Sequence, residues 1–510
     1  MNIGQKKDVF MYEDLINPYQ LKKDIASIQL GGILVEAKLL KNAPVNIVLK
    51  SLNRHGLIAG ATGSGKTKTM QVLCEQLSLA GVPSLVMDIK GDVSGLAMPG
   101  MATKDIENRC NSLKLAYTPQ EFPVELFTLS TIPGIPLRAD IADFGALLFS
   151  RMLGVNDTQA GVVTILFEYA KDNDMPLINL EDLKALLQFI QSKEGKVEIE
   201  SRYGSVATTS VGAIMRKIIE LESQGAKDFF GEPAFQVDDL LQYTRNGQGI
   251  ISIMRLMDMQ DRPQLFSTFM LKLLTDIYRQ FPELGDSDKP KLVIFIDEAH
   301  LIFKNASRAL LNLLDTMVKL IRSKGVGLIF CTQTPNDVPD AILGQLGLKI
   351  QHTLRAFTAK DRQAMRLVAQ NFPPSKYYDT EELLTSLGIG EALVSALDAK
   401  GQPTPLIHCL IRPPESRMGV LTESEVSQVL KGSRLYQKYG RSVNSRSAAE
   451  ILAERKNKEV ADTPTAAEQP GSIVTTTTTV LTSISKNTLV RQIVRDFFRW
   501  ILKNLTGRGR

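Results

Sequence analysis

The chain has little cysteine and no long apolar run, and each shortage removes a class of protein. Its four cysteines, Cys74, Cys110, Cys331 and Cys409, stand singly in 510 residues, with no CxxC pair and no spacing suited to zinc. A disulfide framework and a zinc module are both excluded, and a reducing, cytoplasmic setting is expected. The opening Met1-Asn2-Ile3-Gly4-Gln5-Lys6-Lys7-Asp8 lacks the apolar stretch of a signal peptide. No segment approaches the ~18 apolar residues that a spanning helix requires.

Net positive charge is lacking too, once one tail is set aside. The net charge is +5, but Lys486, Arg491, Arg495, Arg499, Lys503, Arg508 and Arg510 against Asp496 contribute +6, so residues 1–485 sum to −1. The basic isoelectric point is therefore no argument that the main body binds nucleic acid, and any such contact must be local. With 44% hydrophobic and 23% charged residues the composition is that of a globular protein. The length suits one large core or two to three ordinary ones, at roughly 100–200 residues per domain.

Against this background one motif stands out. Gly56-Leu57-Ile58-Ala59 reads as a buried parallel strand and runs directly into Gly60-Ala61-Thr62-Gly63-Ser64-Gly65-Lys66-Thr67, a full GxxxxGK[ST] P-loop. The glycines let the backbone curl so that successive N–H groups face phosphate oxygens, and the helix that follows adds its positive N-terminal end. Lys66 supplies a charge for the β- and γ-phosphates, and the Thr67 hydroxyl is placed for Mg²⁺. Residues Gly60 to Lys68 are the expected ATP-binding set. The helix is expected to stop at Gly81 and Pro83.

About 230 residues further on, Leu292-Val293-Ile294-Phe295-Ile296 is a second apolar strand, ending in Asp297-Glu298-Ala299-His300. Two adjacent carboxylates at the end of a buried strand are costly unless a cation or ligand compensates them. This is the Walker B pattern, with Asp297 toward Mg²⁺ and Glu298 toward the attacking water. Ser84 to Asp88 and Gly249 to Met254 read as further strands. The turn Asp88-Ile89-Lys90-Gly91-Asp92 falls at the carboxyl edge, where open α/β sheets bind ligands. Leu265, Phe269, Leu273, Ile277 and Phe281 recur every four residues, the buried stripe of a helix. Val326 to Cys331 is the strand expected beside Walker B, and Gln333 just beyond it is the candidate to sense the γ-phosphate or the attacking water. Later strands are expected near Leu348–Leu354 and Glu391–Leu397.

Taken together, His55 to Thr67, the Asp88–Asp92 turn, the Walker B segment and the run from Lys319 through Thr332-Gln333-Thr334-Pro335-Asn336-Asp337 to Asp361 closely resemble the HerA–FtsK group of ATPases. More narrowly, the chain resembles the bacterial HerA-like C-terminal-domain proteins, over roughly residues 25 to 420. The resemblance implies an α/β fold: a RecA-like P-loop NTPase core with a parallel-rich central sheet. It also implies ATP and Mg²⁺ as cofactors, a hexameric ring with ATP at subunit boundaries, and double-stranded DNA as a partner. In such rings a neighbour's arginine completes the site. Arg355, expected at the end of a strand, and Arg322, at the end of a helix, are the candidates. About 50 residues precede the P-loop, too few for the full β-barrel that archaeal HerA proteins carry there, so the resemblance does not extend to their nuclease partner.

The expected organisation is a short N-terminal segment (1–50), an ATPase core in two parts (51–101 and 249–420), a largely helical insertion (102–248) and a helical extension (421–455). A flexible Thr-, Ala-, Ser- and Pro-rich linker (456–485) and a basic amphipathic helix (486–510) complete it. That helix suits a membrane surface, an acidic partner, subunit contacts or its own core. Lys90, Lys104 and Arg109 are basic positions that could face a pore. Three functions stay open: a DNA translocase or helicase-like motor; an ATPase that remodels protein or acts in signalling or defence without DNA; and a nucleotide-binding switch with little turnover.

Overall fold

In the computed structural model, residues 11–462 are described, apart from 23, 286, 306 and 307. They build one twelve-stranded sheet with helices on its faces. The strands are β1 (Ser27–Val35), β2 (Lys38–Val48), β3 (Gly56–Ala59), β4 (Ser84–Asp88), β5 (Val124–Thr128), β6 (Ile135–Pro136), β7 (Ile251–Arg255), β8 (Leu292–Ile296), β9 (Val326–Thr332), β10 (Leu348–Gln351), β11 (Glu391–Ser395) and β12 (Ile407–Ile411). Their order across the sheet is β2-β1-β12-β11-β10-β3-β9-β8-β4-β7-β5-β6.

From β10 to β6 every neighbouring pair is parallel. Parallel strands need crossover helices, and those helices cover both faces, so the strands can be apolar throughout. Every residue of β8, for instance, is fully buried. The other end of the sheet is antiparallel, from β10–β11 out to the β1–β2 hairpin, whose strands pair as far as Val35 with Lys38. The N-terminal segment therefore extends the core sheet.

The parallel order decides what can meet at the carboxyl edge. β3, which carries the P-loop, is separated from β8, which carries Asp297 and Glu298, by β9 alone, and β4 lies beside β8. Strands in a sheet lie about 4.8 Å apart, so the segments that follow β3, β9, β8 and β4 share one short stretch of edge.

Two sequence expectations need correction. The 102–248 segment is not only a helical insertion: its first part supplies β5 and β6, which continue the parallel sheet beyond β7. Its helices Ile141–Leu153, Asp157–Asp172, Leu180–Phe189, Lys193–Tyr203 and Thr208–Ser223 follow these strands, and Phe144, Phe149, Phe229 and Phe230 pack edge to face within the same hydrophobic core. Nor does a linker begin at 456. The helix Ala448–Asp462 runs on through it, as its Ala-, Glu- and Lys-rich sequence favours. The rest of the expected linker and the basic helix 486–510 lie outside the described residues. Among the described residues no helix is long and apolar enough to cross a membrane.

Candidate functional site

Local chemistry shapes the phosphate loop. Gly60 has φ +153° and a Cβ there would sit 2.5 Å from the Cβ of His352, while Gly65, with φ +113°, begins the helix Lys66–Leu79. A side chain at either position would clash or be strained. The loop is tied down on both sides. Gly60 N donates to Thr332 O at 3.3 Å, and Ala61 N donates to Thr353 O at 2.8 Å. Ser64 O accepts from Gly390 N at 3.2 Å. Lys66 is buried and its Nζ donates to Gly60 O at 2.6 Å and Ala61 O at 3.1 Å. Burial, and then the neighbouring charge of Lys90, lower its proton affinity. Lys68 turns away from the loop to Gln71 Oε1, at 2.9 Å.

Behind the loop stands His352, fully buried at the end of β10. Its Nδ1 faces the carbonyl of Glu391 at 2.8 Å and its Nε2 faces Thr69 Oγ1 at 2.9 Å. A carbonyl can only accept, so the proton is on Nδ1 and Nε2 accepts from the threonine. Burial holds the imidazole neutral, with a pKa of about 4. His55, at the start of β3, is used alike. It donates from Nε2 to Val318 O at 2.6 Å and accepts from Leu328 N at 3.0 Å.

The acidic side of the site comes from β4 and β8. Carboxylate oxygens of Asp88, Asp92 and Asp297 lie within 4.8 Å of one another. Thr67 Oγ1 donates to Asp92 Oδ2 at 3.2 Å. Asp92 Oδ1 and Asp297 Oδ2 are buried without a hydrogen-bond partner among the described residues. Burial, with Glu298 beside it, pushes Asp297 up to about 7, and burial with Asp92 pushes Asp88 up to about 6. Unpaired carboxylate oxygens converging with a threonine hydroxyl are the donor set of a hard divalent cation, and they fit Mg²⁺. Glu298 behaves differently. Burial would raise its pKa, but an ion pair with Lys90 outweighs that and holds it low. Its other oxygen lies 3.0 Å from His300 Nδ1, and its backbone takes the left-handed φ of +46°.

A family model described as "Helicase HerA-like C-terminal" matches residues 35–505. The chain belongs to the HerA-like helicase C-terminal family. It is 23% identical over 368 residues to the DNA double-strand break repair helicase HerA of Saccharolobus solfataricus, a match that takes in 72% of this chain and 66% of that protein. The counterpart in Sulfurisphaera tokodaii is 24% identical over 392 residues, covering 73% and 68%. The chain thus spans about two thirds of the length of these relatives. Among solved structures, the plasmid coupling protein TrwB in complex with ADP and Mg²⁺ aligns with TM-score 0.50 and 15% identity over 80% of this chain and 94% of that one. That likeness shows the fold, which is RecA-like.

In this HerA-like chain the remaining sequence candidates fall as follows. Gln333 is exposed immediately beyond β9, between the phosphate loop and the acidic pair. Arg355 does not end a strand: β10 stops at Gln351, where His352 turns inward, and Arg355 is exposed in the loop beyond. Arg322 is exposed in the 3-10 turn Ile321–Lys324 ahead of β9, on the opposite edge of the sheet from the phosphate loop. Lys90 and Arg109 are engaged within the chain. The first is paired with Glu298; the second donates to the carbonyls of Ile389, Gly390 and Ile411. Sequence reasoning missed three members of this HerA-like site: Asp92, Lys90 in its ion-pair role, and His352. The Asp88–Asp92 turn lay in view at the sheet edge, but nothing local marked which of its side chains faced β8.

Proposed function

We propose that this chain is an ATP-hydrolysing motor that moves double-stranded DNA, working as a ring, with hexamer the expected size. The observation that carries the reading is the convergence of the phosphate loop, a threonine hydroxyl, three carboxylates and Glu298 on one stretch of sheet edge. Membership of the HerA-like family, and relatives whose names describe DNA repair helicases, supply the DNA.

Bound Mg-ATP would contribute the transferable γ-phosphoryl group and the cation that spreads its charge. The chain's own residues do the rest. The amides that open the helix, Gly65 to Thr67, would face the phosphates, and Lys66 would exchange its two loop carbonyls for phosphate oxygens. Thr67, Asp297 and Asp92 would hold Mg²⁺, Asp88 fixes the turn that carries Asp92, and Lys68 lies beside the loop. Glu298 orients and polarises the attacking water, as a carboxylate kept ionised at neutral pH can. Gln333 is placed to contact that water or the phosphate. Arg355, or else Arg322, from a neighbouring subunit would stabilise the charge that develops in transfer.

The test is steady-state ATPase activity of the wild type and Glu298→Gln, with and without linear duplex DNA, alongside the molecular mass in solution. A hexamer whose turnover rises with DNA and is lost in the variant supports the motor. Robust turnover indifferent to DNA would replace it with an ATPase acting on protein, and negligible turnover with a nucleotide switch.

A further inference from the structure

The turn after β4 is built to aim one mobile cation at one fixed carboxylate. Asp88 Oδ1 accepts from Gly91 N at 2.7 Å and Oδ2 accepts from Val93 N at 3.2 Å. Gly91 takes φ +79° with Met257 packed where a side chain would be. The Cα of Lys90 is therefore anchored, but its side chain keeps four rotatable bonds and is 38% exposed. Glu298 is the opposite: its side chain is 5% exposed, and its backbone takes a left-handed φ of +46°. An ammonium paired with one oxygen of a carboxylate draws on its negative charge and weakens it as an acceptor for water. Lys66 feels the charge of Lys90, so two ammonium groups lie within electrostatic reach of each other beside a loop shaped for an anion. That arrangement favours a further negative charge between them.

We propose that Lys90 is the residue by which the site tells a triphosphate from a diphosphate. It leaves Glu298 for the terminal phosphate and so releases Glu298 to act on water. This is a positioning role, and it rests on the reading of Glu298 given above. After the exchange a basic group remains beside the carboxylate, because His300 Nδ1 lies 3.0 Å from the second oxygen of Glu298.

The test is calorimetric titration of the full chain, in Mg²⁺, with ADP and with a non-hydrolysable ATP analogue, on wild type, Lys90→Met and Lys90→Arg. Lys90→Met keeps the packed stem, so it guards against simple misfolding. The expected result is a loss of roughly tenfold or more in affinity for the analogue, about one charge-assisted hydrogen bond, with ADP affinity within about twofold. Lys90→Arg should recover most of the loss. A parallel change for both nucleotides, or none for either, would overturn the proposal.

A second arm tests the exchange itself. Glu298→Gln removes the ion pair that Lys90 must leave, so it should tighten analogue binding severalfold in the wild-type background and much less in Lys90→Met. Equal tightening in both backgrounds would sink the exchange. Because both arms read binding, a protein that discriminates the two nucleotides yet shows no DNA response would lose the motor reading and keep this one.

Discussion

Thr69, one turn into the helix behind the phosphate loop, donates its hydroxyl hydrogen bond to Nε2 of His352 at the end of β10, 2.9 Å away. The imidazole in turn donates its Nδ1–H to Glu391 O. A single neutral ring thus joins three segments that are far apart in sequence, and it does so directly beneath Gly60. That pattern of bonds holds only while the ring is neutral, since a protonated Nε2 could only donate to Thr69.

That dependence has a definite sign. The folded pKa of His352, about 4, lies below the ordinary 6.5. Its contribution is fully present above pH 6.5 and is lost as pH falls toward 4, where the unfolded chain binds the extra proton. Replacing it by the non-titrating His352→Gln should cost most at pH 7.5. The gap between variant and wild type in denaturant unfolding should narrow by about 2 kcal/mol at pH 5. A gap that stays constant with pH would mean that the ring's neutrality contributes nothing.

Asp297 works in the other direction. Its folded pKa, about 7, is above the ordinary 3.8, so it costs stability increasingly as pH rises through that window, and the whole cost is present above pH 7. In chelator-treated, nucleotide-free protein, Asp297→Asn should therefore raise stability at pH 8, by on the order of a few kcal/mol, and change little at pH 4. With Mg²⁺ and nucleotide added the ranking should reverse, since only the wild type gains the cation. Thermal melts in EDTA and in Mg-ADP check both halves.

How much of this was legible beforehand follows from where each feature is encoded. The phosphate loop and the Asp297-Glu298 pair are contiguous, each launched by its own apolar strand, and the buried runs of β3, β4, β8 and β9 read cleanly. β5 was hidden because Val124–Thr128 carries a buried Glu125 as its second residue, and β6 because it is two residues long. Arg355 was assigned to a strand end because Gln351 to Leu354 looks extendable, yet His352 turns inward there to reach Thr69. Lys90 and Asp92 belong to the site only through the β8–β4 adjacency, a fact of topology that no local pattern carries.

Arg109 offers a test of the loop's other flank. It donates to Ile389 O at 3.0 Å, Gly390 O at 3.3 Å and Ile411 O at 3.4 Å, and Gly390 in turn meets Ser64 of the phosphate loop. Arg109→Ala frees that flank without touching the acidic cluster. The KM for ATP should rise about tenfold, the equivalent of one charged hydrogen bond, with kcat within about twofold. Duplex DNA affinity in a filter-binding assay should be unchanged; a fall there with KM intact would restore Arg109 to a DNA-facing role.

The arginine in trans can be identified by mixing. Arg322 sits ahead of β9, and a seven-residue strand spans roughly 20 Å, so it can serve only a neighbour's site. Arg355 lies two residues beyond Thr353, whose carbonyl holds Ala61, so it could act on its own site or on a neighbour's. Arg355→Ala should lower turnover on the order of a thousandfold while sparing ATP binding. Unchanged turnover removes it in favour of Arg322. Lys66→Ala should be inactive because its phosphate loop is spoiled, yet it still carries Arg355. If Arg355 acts in trans, mixed oligomers contain interfaces that pair an intact loop with an intact arginine, and activity should return on mixing two dead proteins. If it acts in cis, no ratio of the two will recover turnover.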